Sequence, residues 1–567
     1  MTKNTGCGNA QRRVFMKRYT ISDRIVAVAL VVLLLLSMAG CRERAETGLQ
    51  DGPNEDGTVL YQPSEGDGLT APTSSGTDGT NAAPVSLGGF AVSSSSAEAT
   101  WTGMQVLSSG GNAVDAAVAI SLTLSVTEPY SSGLGGSGIM LVYDAQTGEG
   151  YTLDYYCSAG SAASPSDEVA VPGLLAGMQE ALDRWGTVSL ADAIQPAIDY
   201  AEKGFTATET FISRLHYSDS LRNNPAFSSL KVGDLLVQSE LAETLKTIQS
   251  EGIGALYGGS IGQEIADKTG LTIDDLKNYE VFCSDVVEST FYDYHLIGAY
   301  APTSSMTVCQ MLKIAELLDI PSAAEDPNGF LQVIKTASMT AYDCRVKKLV
   351  DPRFYEFGGN ELVSDAYVQT LLGNMVKETE DDPEKMSTTQ FSVIDSNGLT
   401  VCVTNTLSDT WGSFKRVGGF YLNNSLSNFS SSGKNAYEPG KRPRTHFAPI
   451  IAVGAGGEIL AIGSPGGVYI PKIVAGVLID ILKEGEDVQT AVNKARVLYN
   501  SNGKLCVETD ENAPSIIDTE NVSESFYYNT SHIFFGCTSV VGYKPGGGII
   551  SVCDRRRETS QAMVYYY

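Results

Sequence analysis

Residues 388–406, TTQFSVIDSNGLTVCVTNT, leave little room for anything but a β-hairpin. Apolar and polar residues alternate on both sides of Ser396-Asn397-Gly398, the period of a strand with two different faces. A three-residue loop built on a type I turn needs its last residue in the left-handed region, where glycine is favoured. Gly398 holds that place, so Asp395 pairs with Leu399 and Thr388 falls opposite Thr406. Opposed residues share a face with Cβ atoms about 5 Å apart, which predicts two hydroxyls meeting at the open end of the hairpin. The run before it, KETEDDPEK, has the composition of an exposed loop.

A threonine hydroxyl is a weak nucleophile until a base acts on it, and a free α-amino group with a pKa of about 8 can be that base. Thr388 gains such a group only if the peptide bond before it is cut, and the exposed acidic run can tolerate new chain ends. Downstream, GSPGG (463–467) follows the strand EILAI and leads into a helix with Pro471 near its first turn. Gly466 and Gly467 can offer backbone N–H groups at that helix start to a developing oxyanion. Together these features suggest acyl transfer. A plain hairpin with a threonine pair and an ordinary glycine turn fits the same spacing.

The N-terminus is read separately from the fold. Residues 1–41 hold six basic residues and one acidic one, an apolar run from Ile25 to Leu36, and SMAGC ending at Cys41. This is the pattern of a secretory signal, with a run short of the ~20 residues of a membrane span. Cys41 after Ala39-Gly40 resembles a lipobox, with Met38 where leucine is more usual, so Cys41 is the candidate lipidated N-terminus. An uncleaved anchor or a plain secretion signal are the alternatives, and Met16 could be the true start. Residues 42–86 are rich in Gly, Ser, Thr, Pro and acid and read as a flexible tether. The formal charge is −27, and removing the leader's +5 leaves −32. That argues against nucleic acid, whose phosphates require basic surfaces. The cysteines are scattered singly and only four histidines occur, a poor basis for a zinc site or a dense disulfide framework.

The remaining chain is expected to be helix-rich over 87–387 and strand-rich over 388–567. Ala97 to Gly111 reads as a helix, followed by a buried one over NAVDAAVAISLTLSVTEP with Asn112 as N-cap and Asp115 completing a capping box. Residues 170–350 read as mainly helical, including SLADAIQPAIDYAEKG as one helix, and a further helix is expected from about Tyr469 to Glu484. Gly133, Gly135 and Gly138 match G-x-G-x-x-G, but a helix precedes them and a strand follows, the reverse of a dinucleotide site. Gly258-Gly259-Ser260-Ile261-Gly262 matches G-x-S-x-G without the preceding strand that a nucleophile elbow needs, and Ser260 reads as a helix cap.

From about Gly88 to Tyr567 the sequence resembles the γ-glutamyltranspeptidase family of N-terminal nucleophile hydrolases. The resemblance rests on GGNAVDAAVA, EPYSSGLGGSG, PGLLAGM, GDLLVQSELAETL, TTQFSVID, TNTL, LNNSLSNFS, GKRPRTHFAP, GSPGG and DRRRE, in that order. It implies an α/β fold, a four-layer αββα sandwich, and a precursor that cuts itself into 42–387 and 388–567, which stay associated. By position, Thr388 would be the nucleophile, Thr406 the assisting hydroxyl, and Gly466 and Gly467 the oxyanion hole, with no cofactor or metal. The implied substrates are small γ-glutamyl or other acyl amides, with water, an amino acid or a peptide as acceptor. With Cys41 lipidated, the enzyme would sit outside the cytoplasmic membrane.

The substrate pocket departs from the family pattern. Tyr156 stands where the family has the arginine for the substrate α-carboxylate. Asn428 stands where it has the acid for the α-amino group. Thr445 and His446 replace a serine pair, Ser408 replaces an asparagine, and Gln390 replaces a histidine. A charge-assisted, often bidentate contact is lost with the arginine. The implied γ-glutamyl specificity therefore competes with another acyl specificity, as in a cephalosporin acylase-like amidase. A catalytically silent binding lipoprotein is the third reading.

Overall fold

The hairpin forms with the expected register. The Asp395 N–H donates to the Leu399 carbonyl at 3.0 Å and Gly398 has φ 84°. Pairing runs from Thr389 opposite Asn405 to Ile394 opposite Thr400. The structure, a computed structural model, describes residues 58–60, 85–162, 167–373, 387–500, 502–509, 526–529 and 535–567. The leader, Cys41 and most of the 42–86 segment lie outside them.

Eight strands make a first sheet: β1 (Thr58–Leu60), β2 (Gly89–Ser94), β3 (Ser137–Asp144), β4 (Glu149–Tyr155), β5 (Phe282–Ser284), β8 (Ser387–Ile394), β9 (Leu399–Ser408) and β14 (Gln561–Tyr566). Their spatial order is β1-β14-β2-β8-β9-β3-β4-β5. The second sheet holds β6 (Val286–Phe291), β7 (Tyr294–Ala299), β10 (Ile450–Gly454), β11 (Ile459–Gly463), β12 (Ser539–Lys544) and β13 (Gly548–Cys553), in the order β13-β12-β11-β10-β7-β6. Helices α1 (Ala97–Ser108), α2 (Ala113–Thr127) and α3 (Leu174–Trp185) cover the outer face of the first sheet. On the second sheet lies α4 (Ser305–Leu317), flanked by α5 (Pro327–Lys348) and α6 (Ile470–Leu478). The inner faces meet where β8 packs on β12 and β9 on β11. The result is a four-layer αββα sandwich.

The period of two in the hairpin divides the core. Phe391, Val393, Val401 and Val403 face the α1–α3 layer, whereas Ile394 and Cys402 join the core between the sheets. Each fully buried aliphatic or aromatic side chain contributes about 1.5–3 kcal/mol, so a one-residue slip, which would exchange the faces, is strongly disfavoured. All fifteen residues of α2 are buried, and its capping box is formed: Asn112 Oδ1 accepts from the Val114 and Asp115 N–H groups while Asp115 Oδ2 accepts from the Asn112 N–H.

Residues 170–350 are mainly helical as expected, and two finer expectations are corrected. The 170–350 region also contains β5, β6 and β7; the β-branched run at the start of VVESTF carries this signal, but helices bracket it closely. SLADAIQPAIDYAEKG divides into Leu190–Ala193 and Gln195–Lys203, because Pro196 can only stand in a first turn. The helix Ser260–Lys268 has Gly259 as its N-cap, so Ser260 is its first residue and makes no side-chain cap. Among the described residues no helix is long and apolar enough to cross a membrane.

Candidate active site

The hairpin's open end is built differently from its body. Ser387 lies opposite Ser408, so Thr388 sits at a bulge facing Thr406 and Leu407. Ser408 takes φ 82° there, a rare conformation for a residue with a side chain. The bulge turns the threonines toward each other, with the two Oγ1 atoms 3.5 Å apart. Thr406 Oγ1 also donates to the carbonyl oxygen of Ser387, the residue before Thr388. Its own lone pair accepts from the Ser408 N–H at 2.8 Å. That N–H leaves the hydroxyl proton directed at the Ser387 carbonyl.

The backbone on either side is fixed as well. Ser387 Oγ donates to the Tyr130 carbonyl at 2.6 Å, and Arg557 Nη2 donates to the Thr388 carbonyl at 3.0 Å. Arg557 Nη1 stands 3.7 Å from Glu128 Oε1, a carboxylate only 2% exposed. These groups hold the first residues of β8 from outside the sheet ladder, where strand pairing alone is weakest.

Beside the threonines, β11 ends at Gly463 and the chain passes through Gly466 (φ 137°) and Gly467 (φ 55°) into a short turn and then α6. Both angles favour glycine. The turn can approach β8 closely because Gly463 lacks a Cβ: the Gln390 carboxamide carbon lies 2.4 Å from where one would be.

A cavity of about 330 Å³ opens over this end of the hairpin. Thr388, Thr406 and Gly467 line it, and so do Tyr156, Ser408, Asn428, Thr445 and His446. Gly466 lies one residue behind the wall, packed against Gly536. Asn428 Nδ2 donates to the Tyr156 hydroxyl at 3.0 Å and to Ser408 Oγ at 2.7 Å. Burial pushes the Tyr156 phenol well above its usual range, so this pair on the cavity wall is uncharged. Among the described residues no cluster of three or more His, Cys, Asp or Glu could hold a metal ion.

Among the lining residues that the sequence did not single out, two are charged: Arg345 on α5 and Arg444 in the 441–448 segment. Arg444 was within reach of the sequence, since it directly precedes Thr445 inside GKRPRTHFAP. Arg345 was not, because DCRVKK looks like any basic C-terminal helix turn favoured by the helix dipole.

A family model described as Gamma-glutamyltranspeptidase matches residues 99–564. The "Capsule biosynthesis protein CapD proenzyme" of Bacillus anthracis is 37% identical over 429 residues, covering 73% of this chain and 79% of the relative. The "Glutathione hydrolase proenzyme" of Bacillus subtilis (strain 168) is 31% identical over 461 residues, 70% of this chain and 78% of the relative. Among solved structures, a cephalosporin acylase from Bacillus halodurans superposes with a TM-score of 0.74 at 20% identity, covering 88% of this chain and all of the other. At that identity the superposition speaks for the fold alone.

Proposed function

The chain belongs to the γ-glutamyltranspeptidase family, and from that premise we propose that it is a self-processing enzyme that transfers or hydrolyses acyl groups through Thr388. One contact carries the reading: the Thr406 hydroxyl donates to the carbonyl of the peptide bond that must be cut, while its oxygen lies 3.5 Å from the Thr388 hydroxyl. In the cut, Thr388 Oγ adds to the Ser387 carbonyl carbon and Thr406 stabilises the oxyanion that forms. The C–N bond breaks as the new amine takes a proton, and water hydrolyses the resulting ester to release the Ser387 carboxylate. Thr388 is left with a free α-amine.

The same residue then serves turnover. The amine accepts the Thr388 hydroxyl proton as Oγ attacks an amide donor, and the Gly466 and Gly467 N–H groups hold the oxyanion. The proton passes to the departing amine, an acyl ester forms on Thr388, and water or an amino acceptor removes it. The relatives' proenzyme names support processing. The default donor is a γ-glutamyl amide, including glutathione. A different acyl specificity is favoured by the neutral Tyr156–Asn428 pair where charged recognition of an amino-acid head is expected. With Cys41 lipidated, the activity would be anchored outside the cytoplasmic membrane.

The test is a time course on residues 42–567, wild type and Thr388→Ala. Two fragments from the wild type, co-eluting on a native column and separating only in denaturant, and one band from the variant are expected. A wild-type chain that stays intact on long incubation overturns self-processing.

A further inference from the structure

The segment that follows α2 reaches the hairpin's open end on both sides of the bond before Thr388. On one side, Ser387 gives its hydroxyl to the Tyr130 carbonyl at 2.6 Å, and that carbonyl also accepts from the Trp411 N–H at 2.9 Å. On the other, the Thr388 carbonyl is held by Arg557 Nη2 at 3.0 Å, and Arg557 in turn faces Glu128. Once the bond is cut, the first side belongs to the large fragment and the second to the nucleophile.

Glu128 stands where a carboxylate is least favoured. It is the C-cap of α2, the end at which the helix dipole opposes a negative charge. It is only 2% exposed, and neither carboxylate oxygen has a hydrogen-bond partner among the described residues. Arg557 Nη1, likewise buried without a hydrogen bond, stands 3.7 Å from Glu128 Oε1. A buried carboxylate of this kind persists where a cation opposes it. The turn that carries Arg557 is itself fixed. The adjacent Arg556 donates to Glu508 Oε1 at 2.8 Å and to Asp554 Oδ1 at 3.0 Å. Thr559 Oγ1 donates to the Ser95 carbonyl at 2.7 Å, and Ser95 Oγ lies 2.7 Å from Thr389 Oγ1. Arg557 thus reaches Thr388 from a rigid base.

We propose that Arg557 is the positioning residue for Thr388 in the cut enzyme, with Glu128 as the counter-charge that aims its guanidinium. This rests on the reading that Thr388 is the nucleophile. Before the cut, Thr388 is fixed through Ser387 to Tyr130 and Ser408, and through its own carbonyl to Arg557. The cut removes the first set. The backbone of Thr388 then depends on the pairing of Thr389 with Asn405 and on Arg557. One anchor of several in the precursor becomes a principal anchor during turnover, when a displacement of about 1 Å can cost ~10²-fold in rate.

The experiment uses p-nitrophenyl acetate, an activated ester that makes little demand on the acyl pocket. Its acetyl group passes to Thr388 Oγ as p-nitrophenolate leaves, and is read as a burst of colour and as added mass on the 388–567 fragment. Arg557→Gln is expected to slow this acylation by ~10–100-fold and self-cleavage by less than ~3-fold. Arg557→Lys, which keeps a charged donor, should recover part of the loss. Glu128→Gln should also slow acylation, and the double variant should be no slower than Arg557→Gln alone, because Glu128 acts through Arg557. Hydrogen exchange reads the anchor without chemistry: Arg557→Gln should speed exchange over residues 388–393 and leave α3 unchanged, more so in the cut enzyme than in the uncut Thr388→Ala chain. Faster exchange alongside a wild type that is never acylated overturns Thr388 as nucleophile and leaves the anchor standing. Wild-type acylation by Arg557→Gln, cleavage slowed as much as acylation, losses that add in the double variant, or unchanged exchange each overturn the proposal.

Discussion

Thr406 makes three contacts through one atom. Its Oγ1 is fixed by the Ser408 N–H, aimed at the Ser387 carbonyl, and in reach of Thr388 Oγ1. Thr406→Val keeps the shape and removes the hydroxyl, so the folded chain should persist while self-cleavage slows by ~10²–10³-fold, the loss typical of one oxyanion donor. Fragment yield against time on a denaturing gel checks this, and cleavage at the wild-type rate would remove Thr406 from the proposed reaction. The approach of Thr388 and Thr406 was legible in the sequence because alternation and a loop glycine fix a register. The bulge that brings the hydroxyls together was not, since it depends on Ser387 and Ser408 being held from outside the hairpin. Arg345 was invisible for the same reason: only the packing of α5 against another segment brings it to the cavity.

Among the elements, the hairpin and α2 are joined by one carboxylate. Asp395 sits at the turn, where Oδ1 accepts from the Asn397 and Leu399 N–H groups and Oδ2 accepts from the Ala113 N–H at the start of α2. Burial outweighs these three donors and pushes the Asp395 carboxyl up to about 6, against about 3.9 in an unfolded chain. The folded state thus binds this proton more tightly. The associated stability is present below about pH 4 and is lost as pH rises through about 6. Asp395→Asn cannot ionise, so the urea midpoint of the variant minus that of the wild type should increase from pH 4 to 6.5. A difference independent of pH would show that Asp395 does not titrate in that window. Element identity was readable where a local rule decides it, as in the α2 capping box or the loop at Gly398. It was lost at β6 and β7, a tight hairpin bracketed by helices, in which β6 pairs only with β7 and β7 gains its second neighbour from β10, far along the chain.

At the scale of the whole molecule, the proposed lipid anchor is open to a direct test. If Cys41 is the lipidated end, cells expressing the full chain should incorporate labelled palmitate into the protein, and Cys41→Ser should abolish the label and release the protein from the membrane fraction. Label retained by the variant would place the modification elsewhere or remove the lipobox reading. The sandwich carries its own consequence. β8 and β9 lie between β2 and β3, while β10 to β13 share a sheet with β6 and β7, so every layer of sheet mixes residues from before and after position 388. The uncut chain can assemble these layers with its segments tethered at a high local concentration. Once cut and fully unfolded, the two pieces must find each other by diffusion, and recovery becomes second order in protein and open to aggregation. The cut enzyme therefore depends for its lifetime on how slowly it unfolds, while only the uncut chain can be judged by an equilibrium between folded and unfolded forms.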